Sequence, residues 1–480
     1  MPEEVENFGR NVRFVAKNLY QPKSEDEVLR VLEKHGGDSI RVVGSRHSWS
    51  RLLESDAVIL DLRQFRDVRV QQAGDQYVAT VGAGCRISRL LEELERIADV
   101  TLPSIGLIDA QTIAGAISTG THGSGKHSLS HYVTEVRFAT LMKDGTAEIR
   151  TVDCENMRDL KAARCSLGAI GVILSVKLQC RANYRIEEHM RRHKSLKDVI
   201  DNETNYPLQQ FYLVPWLWEF YAQHRREVAE PTSRNAWLFH LYWYWMIDVS
   251  MHIGICLLSR WLKRPGLVKT YCRHVAPTLT IENWRVVDQA NKMLVMKHEL
   301  FRHIEIEIFV RDHDLANALA YVEGLLKVCG GDEISESLRR TLSHADAAYL
   351  KRLQAMRGTY THCYPICVRR VLADETLISM ASGDGVVYSI SFISYQRPNE
   401  RAAFVRFAQL LAESTAELFN ARPHWGKLNP LSGETLKKLY PNWESFQETC
   451  NQRDPNAVFR NARLTELLSC GQSQTCEPIT

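Results

Sequence analysis

The sequence predicts an α+β protein of two domains, and two textures along the chain predict it. To about Leu178, amphipathic helical stretches alternate with short β-branched runs, the pattern of helices laid on a sheet. From about Arg181, aromatic and alternating strands with longer helices take over, interrupted by an apolar insertion. A chain of 480 residues, 45% apolar and 24% charged, has the composition of a globular protein with room for two or three domains.

The elements follow in order. Residues 24–36 carry the signals of a helix: Ser24 caps it, Glu27 stands three residues on, Val28, Val31 and Leu32 form the stripe, and Gly36 stops it. A strand at 39–43 follows, then a helix at 87–97 with Leu90, Leu91 and Leu94 on one face. Strands at 133–142 and 147–152 flank a Lys143-Asp144-Gly145 turn suited to a hairpin. Residues 167–179 form a β-rich run punctuated by Gly168 and Gly171. Beyond it lie an aromatic strand at 211–218 and a half-exposed strand at 304–310, IEIEIFV. A helix at 314–330 aligns Leu315, Leu319, Val322 and Leu326; a strand at 386–394 and a long helix at 399–419 complete the second unit.

The most informative stretch is 101–132, where Gly106, Gly115, Gly120, Gly123 and Gly125 stand among Ser118, Thr119, Thr121 and Ser124. Glycine lets backbone N–H groups approach a ligand closely, and hydroxyls add donors, so a phosphate cradle and a plain surface loop both fit. The stretch is neither a P-loop nor a GxGxxG fingerprint. A second site is IRVVGSRHSWS at 40–50, a β-branched run ending in Gly44 and a polar turn with Arg46 and His47; loops at strand ends carry ligands.

Together with VGAG at 81–84, LGAIGVILSVKLQC at 167–180 and RPHWGK at 422–427, these two stretches resemble the vanillyl-alcohol-oxidase superfamily of flavoproteins. Within it the chain is most similar to the aldonolactone oxidoreductases, with alditol oxidase a close cousin. The likeness runs from about Tyr20 to about Leu467, and five motifs in the right order make it specific. It implies an FAD-binding domain at 1–180 and a cap, or substrate, domain on an antiparallel sheet at 181–420. Residues 421–467 would return to the FAD-binding domain, with a tail at 468–480.

The resemblance also assigns roles. His47 stands where the family tethers its flavin covalently through a ring nitrogen. Gly44, Ser45, Arg46 and Ser48 would line the flavin. Ser118, Thr119, Gly120, Thr121, His122, Gly123 and Ser124 would hold the pyrophosphate and ribityl region, and Ile170, Gly171 and Val172 the adenine side. His424 and Lys427 of the HWGK motif are further catalytic candidates, and the lysine would place positive charge by the flavin or the substrate oxygens. Arg369 matches the arginine of a family Glu-x-Arg pair, but Cys367 occupies the glutamate position. A thiol, with a reference pKa of about 8.5, cannot take over a carboxylate's task unchanged. A thiolate beside Arg369 or a plain apolar lining are the two readings; either the substrate differs from the family norm, or another group such as His424 or Glu307 takes the proton.

The net charge of +3 comes without a basic stripe and argues against nucleic acid. The twelve cysteines are scattered; His362, Cys363 and Cys367 cluster without a fourth ligand, so free thiols and no metal are expected. The polar N-terminus shows no signal peptide, which points to an intracellular protein. Ala236–Leu262 is apolar and aromatic but holds Asp248 and two histidines, which suits an interfacial, monotopic position on a membrane; a buried helix pair is the other reading. Arg234, Arg260, Lys263 and Arg264 would sit at headgroup level, and the animal gulonolactone oxidases that the chain resembles here are membrane-associated.

The expected activity is FAD-dependent oxidation of a CH–OH carbon, with hydride passing to the flavin and reoxidation by O2 or another acceptor. The expected substrate is an aldono-1,4-lactone. An alditol, a lipid-linked sugar, or a flavin-binding scaffold or redox sensor with altered catalysis are the alternatives.

Overall fold

The computed structural model describes residues 3–469 apart from 75, 263 and 297–301, so most of the expected tail and the flanking Lys263 lie outside the described residues. The first helix is Glu25–Lys34; the Ser24 hydroxyl accepts from the Glu27 N–H at 3.3 Å, as the capping pattern predicts, and His35 rather than Gly36 caps its end. A small parallel sheet accompanies it, in which Val58–Asp61 lies between Asn18–Tyr20 and Ile40–Val43. The second amphipathic helix is Ile87–Ala98.

A six-stranded antiparallel sheet completes this domain. Its path runs Ala147–Val152, Val133–Leu141, Val172–Ala182, Gln76–Gly82 and Val68–Ala73, with Val100–Thr101 paired beside Val172–Ala182. The run expected as one strand at 167–179 is divided. Leu167 (φ 54°), Gly168 (φ 69°) and Gly171 (φ 142°) turn the chain, and extension begins only at Val172. A Cβ at Gly171 would stand 2.5 Å from the Ala139 carbonyl oxygen, so the close crossing explains the glycine. Buried Arg41 pins this corner, donating to the carbonyls of Leu52 (2.7 Å), Leu167 (2.8 Å), Gly168 (3.0 Å) and Phe459 (2.5 Å). Four backbone acceptors around one guanidinium fix strand Ile40–Val43, and with it the loop that follows.

The cap is an eight-stranded antiparallel sheet in the order Val286–Gln289, Arg185–His193, Glu219–Val228, Gln210–Val214, Ile366–Val371, Val387–Ser394, Ile304–Arg311 and Arg422–Pro423. The return segment thus begins as an edge strand of the cap, paired at Ile308–Pro423 and Phe309–Arg422. Helices Leu315–Cys329 and Ala402–Phe419 belong to this unit.

Two expected strands differ. The aromatic strand ends at Val214, because Trp216 (φ 70°) and Trp218 (φ 59°) form the turn into Glu219–Val228. There the Trp216 indole donates to the His362 carbonyl at 2.7 Å, and Lys269 lies 4.5 Å over the ring. Ile304–Arg311 is not half-exposed: every residue but Arg311 is buried. Its glutamates alternate as they would on a solvent face, but that face looks into an internal cavity.

Ala236–Leu262 forms a single helix rather than a buried pair, with wide i→i+5 turns over Trp243–Met251 and Leu257–Leu262. Only 28% of its most apolar stretch is buried. It is long and apolar enough to cross a membrane by composition alone.

Candidate active site

A cavity of about 570 Å³ separates the first domain from the inner face of the cap sheet. One wall is the loop Gly44–Ser48, leaving the strand that Arg41 pins. A Cβ at Gly44 would meet Thr112 Oγ1 at 2.1 Å, so the chain must lack a side chain to pass the start of helix Ile113–Ser118. Arg46 turns the loop at φ 60°, and its carbonyl accepts from the Phe8 N–H at 2.8 Å. Phe8 in turn stacks on the His47 imidazole at 5.0 Å. The Gly426 carbonyl accepts from both the Trp49 N–H (2.9 Å) and Ser48 Oγ (3.2 Å), tying this loop to the distant segment 424–427.

Ser118, Thr119, Thr121, His122 and Gly171 also reach the cavity wall. Gly120, Gly123, Ser124, Ile170 and Val172, expected there, do not. Gly120 faces Met380 and Gly123 crosses the Ile105 carbonyl, so these two glycines serve backbone packing. The Ser124 hydroxyl is turned away to the Gln209 carbonyl, and Ile170 and Val172 are core residues at 1% and 0% exposure.

The floor is the inner face of the cap sheet, where strand pairing sets Glu307, Ser391 and Cys367 in one row across three strands. All four catalytic candidates, Cys367, Arg369, His424 and Lys427, line the cavity. Glu307 is 2% exposed, and its backbone carbonyl accepts from the His424 N–H at 2.9 Å. Its carboxylate lies 3.3 Å from His122 Nε2, while His122 Nδ1 donates to the Gly123 carbonyl at 2.9 Å. With Nδ1 donating to a backbone carbonyl, the Nε2 edge of the ring is the one turned toward the carboxylate. Burial works to raise the Glu307 carboxyl, but His122, His424 and Lys427 outweigh it and hold it well below the usual carboxylate range.

His424 is arranged differently. Its Nδ1 accepts from the Gly426 N–H at 2.9 Å, and burial pushes the imidazole down to about 3 against the pull of Glu307. It is therefore a neutral donor through Nε2, not a base. Burial also raises the Cys367 thiol more than Arg369 lowers it, so the thiolate reading gives way to a protonated, space-filling Cys. His362 is likewise no metal ligand with Cys363 and Cys367; it is buried against the Tyr360 hydroxyl at 2.6 Å. Among the described residues only His122, Glu307 and His424 offer three ligand atoms within 4.8 Å of one another. The charges of Lys427 and Arg369 close by disfavour a further cation there.

Lys427 forms an ion pair with Glu305 and lies 4.3 Å over the Trp49 ring. Arg369 is held by a row of buried amides. Its Nε donates to Gln210 Oε1 (2.9 Å), Gln210 Nε2 to Gln223 Oε1 (2.6 Å), and Gln223 Nε2 to Glu188 Oε1 (2.6 Å). Arg225 closes the chain on Glu188 at 2.6 Å. The Glu188 charge fixes which way both amides point, and so presents a carbonyl oxygen to Arg369. Sequence reasoning missed Glu305, Glu188, Gln210 and Gln223. The available signal was polar residues two apart inside strand-forming runs (IEIEIFV at 304–310, QFY at 210–212).

The far wall is mostly apolar: Phe239, Trp243, Ile247 and Met251 of helix Ala236–Leu262 face Met190, Val214 and Ile393 of the sheet, with His240, Asp248 and His252 of the same helix also lining it. One cavity thus joins a glycine-and-hydroxyl cradle, a charged floor and a greasy wall.

The chain matches the D-arabinono-1,4-lactone oxidase family over residues 176–467 and an FAD binding domain over residues 16–149. It is 48% identical over 464 residues to a long-chain alcohol oxidase of an uncultured marine euryarchaeote, covering 96% of each chain. To the L-gulonolactone oxidase of Mus musculus it is 25% identical over 475 residues, covering 97% of this chain and 98% of that one. The crystal structure of cholesterol oxidase from B. sterolicum shares the fold with a TM-score of 0.74 at 15% identity, covering 98% of this chain and 97% of that one. The cradle suits the FAD these matches imply: Ser45 Oγ is buried at the cavity wall without a hydrogen-bond partner, so it is a donor left for a ligand. The architecture is the vanillyl-alcohol-oxidase fold, and the chain belongs to the D-arabinono-1,4-lactone oxidase family of FAD-dependent oxidoreductases acting on CH–OH groups.

Proposed function

We propose that this enzyme oxidises long-chain aliphatic alcohols to aldehydes. The observation that carries the reading is the apolar wall of Phe239, Trp243, Ile247 and Met251 opposite the charged floor, a shape for a substrate with one polar end. The name borne by the 48% identical relative supports it. FAD, held at Gly44–Ser48 and along Ser118–Thr121, supplies the hydride acceptor when bound. The hydroxyl lies on the floor, where Glu307, with His122 behind it, takes its proton. Arg369 and Lys427 hold the oxygen as negative charge develops there, and the neutral His424 donates a hydrogen bond. Carboxylates two strands away on the same face make up for the cysteine at 367, which removes the motive for reading the chain as an inactive flavin-binding scaffold.

An aldono-1,4-lactone or an alditol is the second reading, favoured by the family and by the Arg369–Gln210–Gln223 row, whose amides suit several hydroxyls. Anaerobic mixing with a panel of alkanols, alditols and lactones decides between them. Bleaching of the flavin band should strengthen with alkanol chain length. Bleaching by lactones or alditols alone would assign the sugar substrate instead.

The flavin is read as tethered through His47. Burial, aided by Lys427 and Arg86, lowers its imidazole to about 4, so a ring nitrogen keeps its lone pair, and Phe8 fixes the ring plane. An acid-precipitated, washed pellet should stay yellow, and His47→Ala should release the colour to the supernatant; a colourless wild-type pellet rules the tether out. The helix Ala236–Leu262 is read as lying on a membrane surface rather than crossing it, because its inner face is already occupied by the cavity.

A further inference from the structure

We propose that the substrate enters from a lipid surface, through a mouth between helix Ala236–Leu262 and the segment 275–281. The proposal rests on the long-chain alcohol reading. Trp243 and Tyr244 on the helix, and Ala276, Pro277 and Thr280 opposite, line the cavity and are also partly exposed, so the cavity reaches the surface here. The residues beside them in sequence are exposed and apolar: Leu241 (46%), Trp245 (54%), Val275 (43%) and Ile281 (48%). A water-facing entrance has no use for four such side chains, whereas a rim seated in acyl chains does.

The rim continues a longer stripe. Trp237, Leu241, Trp245, Ile253, Leu257 and Trp261 are exposed at multiples of four residues along the helix. The wide turns slow the rotation per residue, so steps of four stay on one face, where a regular α-helix would carry them round. The charge pattern selects the surface. From 236 to 281 the only acid is Asp248, which is buried, and Arg264 and Arg273 are exposed bases; Lys269 is paired with Asp332, and Glu282 follows the segment as an exposed acid. That combination fits an anionic phospholipid bilayer. The mouth is also strapped: the Tyr242 hydroxyl donates to the Leu279 carbonyl at 2.8 Å and accepts from the Ile281 N–H at 2.9 Å. Helix and opposing segment are thereby held as one unit around the opening. An alcohol that passes from the bilayer past this rim keeps its chain out of water throughout.

The test compares hexadecanol carried in phosphatidylcholine–phosphatidylserine vesicles with hexanol dissolved in water. The enzymes are the flavin-loaded wild type, L241E, W245E and the milder L241Q; both positions are exposed and lie outside the cavity lining. For each Glu variant, kcat/KM for vesicle-borne hexadecanol should fall about 10-fold or more, while that for hexanol stays within about 2-fold. L241Q should show a smaller fall in the same direction. For the wild type, the hexadecanol rate should follow its mole fraction in the bilayer rather than its total concentration. Equal losses on both alcohols, or no loss on either, would overturn the lipid entrance while leaving the substrate reading intact. A wild type inert to both alcohols overturns the substrate reading and this proposal with it.

Discussion

Glu307→Gln should keep the fold and the bound flavin yet lower kcat by roughly 10²–10⁴-fold, the usual contribution of a positioned general base. The amide is nearly isosteric, and the His424 N–H that bonds the Glu307 carbonyl at 2.9 Å is untouched, so the cap strand should keep its place. What is lost is the acceptor for the hydroxyl proton and the negative charge that faces His122. Single-turnover reduction of the flavin by substrate under anaerobic conditions isolates this step from reoxidation. A reduction rate within a few-fold of wild type would move the base elsewhere.

The same carboxyl makes a second expectation about pH. Burial alone would raise it, but His122, His424 and Lys427 hold it well below the ordinary range. A depressed carboxyl stabilises the fold above its unfolded pKa, and that stability is lost as pH falls through the folded value. Melting temperature should therefore drop less steeply on the acid side for Glu307→Gln than for wild type.

Much of this site was legible in the sequence because it rests on local rules. The Ser24 cap with Glu27 and the 143–145 turn each follow from constraints within a few residues of one another. The parts that were not legible depend on what lies across the sheet. Alternation in IEIEIFV marks a two-faced strand, but whether the polar face meets water or a cavity is decided by the domain packed opposite. The loss of a glutamate at Cys367 looked like a missing function because register is invisible in one dimension. Pairing of Cys367 with Ser391, and of Ser391 with Glu307, puts a carboxylate two strands away on the same row. Likewise Gly120 and Gly123 share a motif with Thr119 and Thr121, yet face Met380 and the Ile105 carbonyl, and no local pattern separates those duties. Strand propensity places Trp216 and Trp218 in the strand, yet both take positive φ in the turn, where Trp216 meets His362 and Lys269 and Trp218 meets Lys327, all distant in sequence.

Lys427→Ala should bind flavin normally and lose about 10²-fold in kcat, with KM for an alkanol changing far less. The ammonium sits where three features of the site converge: it pairs with Glu305, lies over Trp49, and adds to the field that holds both Glu307 and His424 down. The first two are made before substrate arrives. The third matters most when the alcohol oxygen gains negative charge on losing its proton, so its removal should fall on the chemical step. Glu305 gives the control, because it keeps only the Ser391 hydroxyl once the lysine is gone and could disturb the floor by itself. Lys427→Ala/Glu305→Gln removes that unpaired carboxylate. If the double variant stays as slow as Lys427→Ala while Lys427→Arg recovers part of the rate, the lost positive charge accounts for the defect. If the double variant recovers wild-type turnover, the lysine serves only to neutralise Glu305 and to pack Trp49 against the loop that carries His47.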